Sequence, residues 1–413
     1  MPKIFAGELS SVISPASRLS PTDPNFATEV IQACLNSAIR RGASDVHIQP
    51  RVESWEISFR IDGVLQTVES FPRSDESDPV ARLMALAGLP SYRMGVPQEG
   101  PLRWRSGQSH LNGSDIEHEM RLGVFPTVHG NRAAIRIMED RENVRQLHEL
   151  GLDENTLSRL ETICNARDGW LLVAGPAGSG KTTTLYACLS HIASGDFRRS
   201  VLTIEDPIES VIDSISQSQL QSSSGLTLAS AMRAAVRQDA EVLLVSEIRD
   251  VETAEAVLAA SMTGHLCFSS IHAGTVGGTL RRLVQMNLPT FAIQSGLRGV
   301  MCQRLLRRRC DACDPDANDA SDCGLCHGAG YSGRIPISQI VDLNDSEIGS
   351  SIFDALVNQL PASKLDRIIE DAGNESLRAQ AERLIEEGVT DREEVFRVLG
   401  HNVLGHNDSG DRS

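Results

Sequence analysis

The segment Gly175-Pro176-Ala177-Gly178-Ser179-Gly180-Lys181-Thr182 fits the spacing G-x-x-x-x-G-K-[ST], with Thr183 following. Its glycines let backbone N–H groups wrap a phosphate chain, and a helix starting at its end adds partial positive charge. Lys181 would reach the β- and γ-phosphates of ATP, and the Thr182 hydroxyl would ligate Mg²⁺. The bland alternative is an ordinary glycine-rich turn. The chain contains three lysines, Lys3, Lys181 and Lys364, and one of them falls here. Glu247 follows the apolar run Val242–Val245, where a carboxylate can polarise an attacking water. Glu205 and Glu209 belong to the acid-rich stretch Ile204-Glu205-Asp206-Pro207-Ile208-Glu209, which could also be a solvated turn. His272 ends another apolar run and could sense the γ-phosphate, or could simply be structural.

A second constellation pairs Cys310-x-x-Cys313 with Cys323-x-x-Cys326. Two such pairs give four thiolates, a set that suits tetrahedral Zn²⁺ and leaves no open position for catalysis. The segment between the pairs, rich in Asp, Ala and Asn, cannot form a core of its own. A redox pair is the alternative, and His327 is expected beside the site rather than in it. The remaining five of nine cysteines lie beside apolar neighbours and read as reduced packing residues.

These residues need elements to hold them. Trp170–Ala174, Val201–Ile204, Val242–Val245 and Leu266–Ile271 read as buried strands. Lys181–Ile192, Leu228–Gln238, Val251–Met262 and Thr279–Met286 read as helices between or after them. Such alternation implies parallel strands with helical crossovers. Ahead of this α/β core, the pattern predicts a helix over Val30–Arg41 and strands at Trp55–Arg60, Ile116–Leu122 and Arg132–Met138. Asp62-Gly63 signals a hairpin. The expected organisation is a flexible lead-in over 1–24, a small α+β domain over 25–140 and a linker over 141–150. An ATPase core over 151–300 follows, with a cysteine-rich insert over 301–335 inside a tetracysteine subdomain spanning 301–342. Helices over 343–400 and a disordered tail over 401–413 complete it.

Composition narrows the function. The 413 residues carry 39 basic and 55 acidic side chains, a net charge of −16, and aromatics make up 4%. Acidic balance and few stacking rings disfavour a nucleic-acid motor. No apolar run approaches the roughly 18 residues of a membrane-spanning helix. No secretory signal is recognisable at the N-terminus.

Taken in order, the motifs resemble the secretion ATPase superfamily, the hexameric motors of type II secretion and type IV pilus assembly. The resemblance runs from about Asn25 to Gly400. Gly42-Ala43-Ser44-Asp45-Val46-His47-Ile48 resembles an N-terminal signature, and Arg60-Ile61-Asp62-Gly63 an R-x-D-G hairpin. Ile204–Glu209 is similar to the acidic "Asp box", Ser246–Asp250 to the Walker B element, and Thr263-Gly264-His265 through His272 to the "His box". Gln303-Arg304-Leu305, the four cysteines and Gly330–Arg334 resemble the segment typical of the assembly and secretion branch; retraction motors usually lack the four-cysteine knuckle.

The resemblance implies a RecA-like phosphate-loop core behind a small PAS-like α+β domain. It implies ATP, Mg²⁺ and Zn²⁺ as ligands, and a homo-hexamer at the cytoplasmic face of the inner membrane. That motor would work on a membrane platform protein and associate with the membrane through partners only. It also aligns Arg121 and Arg136 with arginines that reach the nucleotide. A nucleotide-regulated, non-hydrolysing assembly protein is the alternative. Departures from the family pattern are Ser246 for Gly, Asp239-Ala240-Glu241 for Asp-Pro-Asp, and Ala273-Gly274 for Thr-Asn. The knuckle loop is short, and only about 24 residues precede the first helix where many relatives carry a large partner-binding domain.

Overall fold

The computed structural model describes residues 20–74, 76–93, 95–106, 116–138, 144–195, 198–220, 225–313, 323–344 and 346–400. Most of the expected lead-in, the first part of the expected linker and the whole expected tail lie outside them. The chain divides into two units: Met1–Asp140 with Cys310–Ser332, and Arg141–Arg309 with Gly333–Ser413.

In the first unit, helix α1 (Phe26–Arg40) buries Phe26, Val30, Ile31, Cys34, Leu35 and Ala38, a single stripe at helical spacing. It starts four residues before the periodicity in the sequence does. Six strands form one antiparallel sheet: β1 (Asp45–Pro50), β2 (Ser54–Ile61), β3 (Val64–Pro72), β4 (Gln98–Ser106), β5 (Ile116–Thr127) and β6 (Gly130–Ile137), in the order β3-β2-β1-β6-β5-β4. In β1, Val46 and Ile48 are buried while Asp45 and His47 are half-buried on the other face. Asp62 and Gly63 both have positive φ, which the tight β2–β3 hairpin requires and which the Asp-Gly pair supplies. Helix α2 (Pro79–Leu86) is capped by Asp78, whose carboxylate accepts from Val80 N–H at 2.8 Å. Both helices join the sheet in one apolar core around Trp55, Phe59 and Leu83.

The second unit is built on a seven-stranded sheet. Its strands are β7 (Gly169–Ala174), β8 (Val201–Glu205), β9 (Ser216–Gln219), β10 (Val242–Val245), β11 (Leu266–Ile271), β12 (Leu297–Arg309) and β13 (Tyr331–Asp342), which belongs to this unit from Gly333 onward. The order is β13-β12-β7-β11-β10-β8-β9, and the pairs from β12 through β9 are parallel. Every residue of β7, β10 and β11 is buried, because helices cover both faces. Alternate residues feed two cores. Trp170, Leu172, Leu243 and Ile271 face one, with helices α5 (Leu228–Ala235), α6 (Val251–Ser261), α7 (Val276–Gln285), α8 (Thr290–Gly296), α9 (Ser346–Val357) and α10 (Ala362–Asp371). Leu171, Val173, Leu244 and Phe268 face the other, with α3 (Glu154–Cys164) and α4 (Lys181–Ser194). Helices α11 (Leu377–Glu386) and α12 (Arg392–Leu399) pack on a small core with Leu306 and Ile337.

Three expectations change. The insert read over 301–335 begins and ends as sheet: β12 and β13 flank a shorter cysteine-bearing segment, which clusters with the first unit. Arginine-rich composition disguises β12, although its first eight residues are nearly all buried. Within the expected linker, Leu147 and Leu150 are buried in the second unit's core. Helix α7 begins at Val276, three residues early, because Thr275 caps it by accepting from Gly278 N–H at 2.9 Å while Gly277 and Gly278 hide the period.

Candidate nucleotide and metal sites

The phosphate loop leaves the buried strand β7 and enters α4. Gly178 and Gly180 both hold positive φ, at 72° and 88°, which a side chain would strain. A Cβ on Gly175 would lie 2.3 Å from Ser179 Oγ and 2.7 Å from the Gln303 carbonyl, so glycine alone fits there. Gly175 N–H donates to Ile271 C=O at 3.1 Å, tying the loop to the end of β11. Lys181 Nζ donates to the carbonyls of Gly175 and Pro176, each at 2.9 Å. Burial pushes the Lys181 ammonium below its ordinary pKa, opposed by Glu247 and reinforced by Arg304. Among the described residues Ser179 Oγ is buried without a partner. Thr182 is half-buried, Thr183 is exposed, and Thr184 donates to Gln303 Oε1 at 2.8 Å. The helix N-terminus, a buried serine hydroxyl with a proton to donate and a lysine on two loop carbonyls fit a phosphate chain.

Glu247 stands just beyond β10. His272, just beyond β11, places Nε2 at 3.0 Å from Glu247 Oε1 and Nδ1 at 3.1 Å from the Gly175 carbonyl. His272 thus bridges the acid and the first residue of the loop. Arg249 Nε lies 2.9 Å from Glu247 Oε2. Asp250 caps α6 by accepting from Thr253 N–H at 2.7 Å. Parallel strand ends bring Lys181, Glu247 and His272 together over more than 90 residues of sequence, which is what this topology does.

Glu205 is differently placed. It is 1% exposed, and its Oε1 accepts from Thr203 at 2.5 Å and from Gln217 Nε2 at 3.1 Å, while Oε2 accepts from the Tyr186 hydroxyl. Burial and the hydrogen bond to Glu205 push the Tyr186 phenol upward. Glu209 N–H donates to the same hydroxyl at 3.3 Å, so Tyr186 ties α4 to the acidic stretch. Sequence reading passed over Tyr186; its place five residues after Lys181 is the only signal. It also assigned no role to Arg304, which is 9% exposed and held by neutral acceptors.

Arg121 and Arg136 belong to the first unit and are register partners on β5 and β6. Arg136 in turn pairs with Asp45 of β1, and Asp45 with Arg60 of β2. The row crosses four adjacent strands on the face away from the core. Arg136 Nε is 3.4 Å from Asp45 Oδ1 and Arg121 Nε is 2.5 Å from Glu99 Oε1. Both guanidiniums are half or more exposed, so their pairing is weak.

The four cysteines converge. Cys310 Sγ is 3.8 Å from Cys323 Sγ, Cys313 Sγ is 3.4 Å from Cys326 Sγ, and all four lie within 4.8 Å of one another. Four sulfurs around one tetrahedral ion at about 2.3 Å would stand about 3.8 Å apart. Backbone N–H groups of Cys326 and Leu325 pull the Cys323 thiol down to about 6, while hydrogen bonding to Cys326 pushes Cys313 up. Reversal at His327 (φ 50°) and Gly328 (φ 85°) closes the turn. The donor set fits a thiophilic ion.

The second unit is therefore a phosphate-loop nucleotide-binding domain, with its loop at the carboxyl end of a central parallel strand. Residues 21–397 match the model of the family described as "Type II/IV secretion system protein", and the chain belongs to that family. It is 35% identical over 389 residues to the type II secretion system protein E of Pseudomonas aeruginosa, covering 89% of this chain and 74% of that one. It is 35% identical over 395 residues to the type IV pilus assembly ATPase TfpB of Acinetobacter baylyi, covering 90% of this chain and 65% of that one. The fold is similar to that of the Legionella pneumophila ATPase DotB, with a TM-score of 0.70 at 21% identity over 89% of this chain and 95% of the other. Among the described residues no helix is long and apolar enough to cross a membrane.

Proposed function

We propose that this chain is the ATPase of a type II secretion or type IV pilus-like machine. It would work as a homo-hexamer at the cytoplasmic face of the inner membrane, against a platform protein there. One observation carries the reading: His272 joins Glu247 to the phosphate loop, so a strand-end acid stands beside a phosphate-binding lysine. The names of the relatives above support the secretion or pilus assignment.

In this reading the loop amides and Lys181 hold the β- and γ-phosphates. Gly175, Pro176, Ala177, Gly178, Ser179, Gly180, Thr182 and Thr183 complete the cradle. Mg²⁺, held through Thr182, would supply charge neutralisation at the phosphates. Glu247 orients and deprotonates the attacking water, and His272 positions that carboxylate and senses the γ-phosphate. Glu205, with both oxygens engaged, fixes α4 against β8, and Glu209 lines the acidic edge. Arg121 and Arg136 would deliver guanidinium charge to the γ-phosphate, where a planar fork binds two oxygens. Zn²⁺ on Cys310, Cys313, Cys323 and Cys326 would hold a structural loop.

Phosphate release by the purified chain tests the reading. Turnover abolished by Lys181→Ala is the expected result. Nucleotide binding with no release by the unaltered chain would return the non-hydrolysing alternative, and stimulation by DNA the nucleic-acid motor.

A further inference from the structure

We infer that Arg304 is a positioning residue of the nucleotide site, holding the His272 segment and the first residue of the phosphate loop in register and keeping an uncompensated positive charge beside them. The inference rests on the proposed nucleotide reading.

Strand β12 runs parallel to β7 with Cys302 opposite Ala174, so Gln303 stands beside Gly175 where the loop begins. The Gln303 carbonyl presses on Gly175, where a Cβ would come within 2.7 Å of it. Arg304 NH1 donates to that carbonyl at 2.9 Å and lies 3.5 Å from Cys302 Sγ. Its NH2 donates to the Gly274 carbonyl at 2.8 Å, two residues past His272. Arg282 NH1 donates to the His272 carbonyl at 3.1 Å. Two guanidiniums, one from β12 and one from α7, therefore clamp the segment that carries His272.

The chemistry of the clamp is unusual. Arg304 is 9% exposed, and its three partners are two carbonyls and a thiol. Among the described residues no carboxylate pairs with it; Asp366 is committed to Gly277 N–H at 2.7 Å. A buried guanidinium is costly when only neutral groups face it. A neutral side chain could tie two carbonyls without that cost. The charge is complementary to something that comes and goes, and a phosphate chain in the adjacent loop is that counter-charge. Lys181, which burial depresses first, also feels Arg304. Through Gly274 the same group sets where His272, and hence Glu247, stands.

The test compares Arg304→Met and Arg304→Lys with the unaltered full chain. Readouts are phosphate release, binding of a fluorescent ATP analogue, thermal midpoint, and hydrogen exchange over residues 272–278 with and without ADP. Arg304→Met should lower kcat more than tenfold with KM within threefold. It should speed exchange of 272–278 and abolish the protection that ADP gives. Arg304→Lys should recover at least a third of the rate and most of the protection. A Met variant within twofold of the normal kcat would overturn the inference. So would a Lys variant as impaired as Met with both midpoints equally lowered, because that is a folding role. If the unaltered chain releases no phosphate, the proposed function fails alone. Exchange of 272–278 then decides: faster and nucleotide-insensitive in the Met variant supports the clamp, and unchanged exchange refutes it.

Discussion

Replacing Glu247 with Gln removes one charge and almost no volume. Glu247 is 18% exposed at its side chain and touches His272 Nε2 at 3.0 Å and Arg249 Nε at 2.9 Å. Gln keeps one acceptor but must turn an NH₂ toward either the ring or the guanidinium. Partly exposed pairs of this kind are worth about 0.2–1 kcal/mol each, so folding should barely change. A general base contributes about 10²–10⁴-fold to the rate, or about 3–5 kcal/mol of barrier. The two scales separate cleanly. We expect turnover to fall at least a hundredfold, with a thermal midpoint within a few degrees and nucleotide affinity retained or improved. Affinity holds because Lys181 loses a nearby negative charge that would compete with phosphate. Phosphate release under saturating Mg·ATP, paired with binding of a fluorescent analogue, measures both. A variant keeping more than a tenth of the normal rate refutes Glu247 as the base. Glu209 is then the acid to examine, since both oxygens of Glu205 are already engaged.

Purified without added metal, the protein should carry one Zn²⁺ per chain; four titratable thiols with no zinc would refute the assignment. Arg136→Ala should lower turnover more than binding, and specific activity should rise with protein concentration as subunits assemble; equal loss of both, or a flat concentration curve, counts against arginines acting at the nucleotide. Glu394 is 0% exposed and accepts from Arg307 and Arg397, so Glu394→Leu should cost about 1.5–3 kcal/mol through the lost charge-assisted hydrogen bonds, read by urea unfolding. Burial raises the Glu394 pKa, but hydrogen bonds from Arg397 and Arg307 outweigh it and hold the carboxyl below its ordinary 4.5. That contribution is therefore present above pH 4.5 and is lost as pH falls through the folded value, so Glu394→Gln should flatten the acid limb of the stability curve.

The parts legible in the sequence were those whose signal is local. Gly175–Thr182 advertises itself through spacing, Asp62-Gly63 through its turn chemistry, and Trp170–Ala174 through an unbroken apolar run. Strand β12 was hidden because its arginines look like surface while Val300, Met301 and Leu306 are fully buried. The start of α7 was hidden because two glycines interrupt its period. Glu205 and Glu247 look alike in sequence, both being acids at strand ends. Only packing separates them: one lies beneath Tyr186, Thr203 and Gln217, and the other meets His272 and Arg249.

That separation has a consequence for how the site works. Tyr186 links the helix behind the phosphate loop to Glu205 and to the backbone at Glu209, so α4 cannot shift without disturbing β8 and the acidic stretch after it. His272 links Glu247 to Gly175, and Arg304 links Gly274 to Gln303. Four strand ends are thus joined around one loop by side chains rather than by backbone pairing alone. The Gly175 and Pro176 carbonyls share Lys181, and Gly175 shares its carbonyl with His272 as well. In the proposed reading, a phosphate bound at Lys181 would therefore reach the His272 segment through one shared carbonyl.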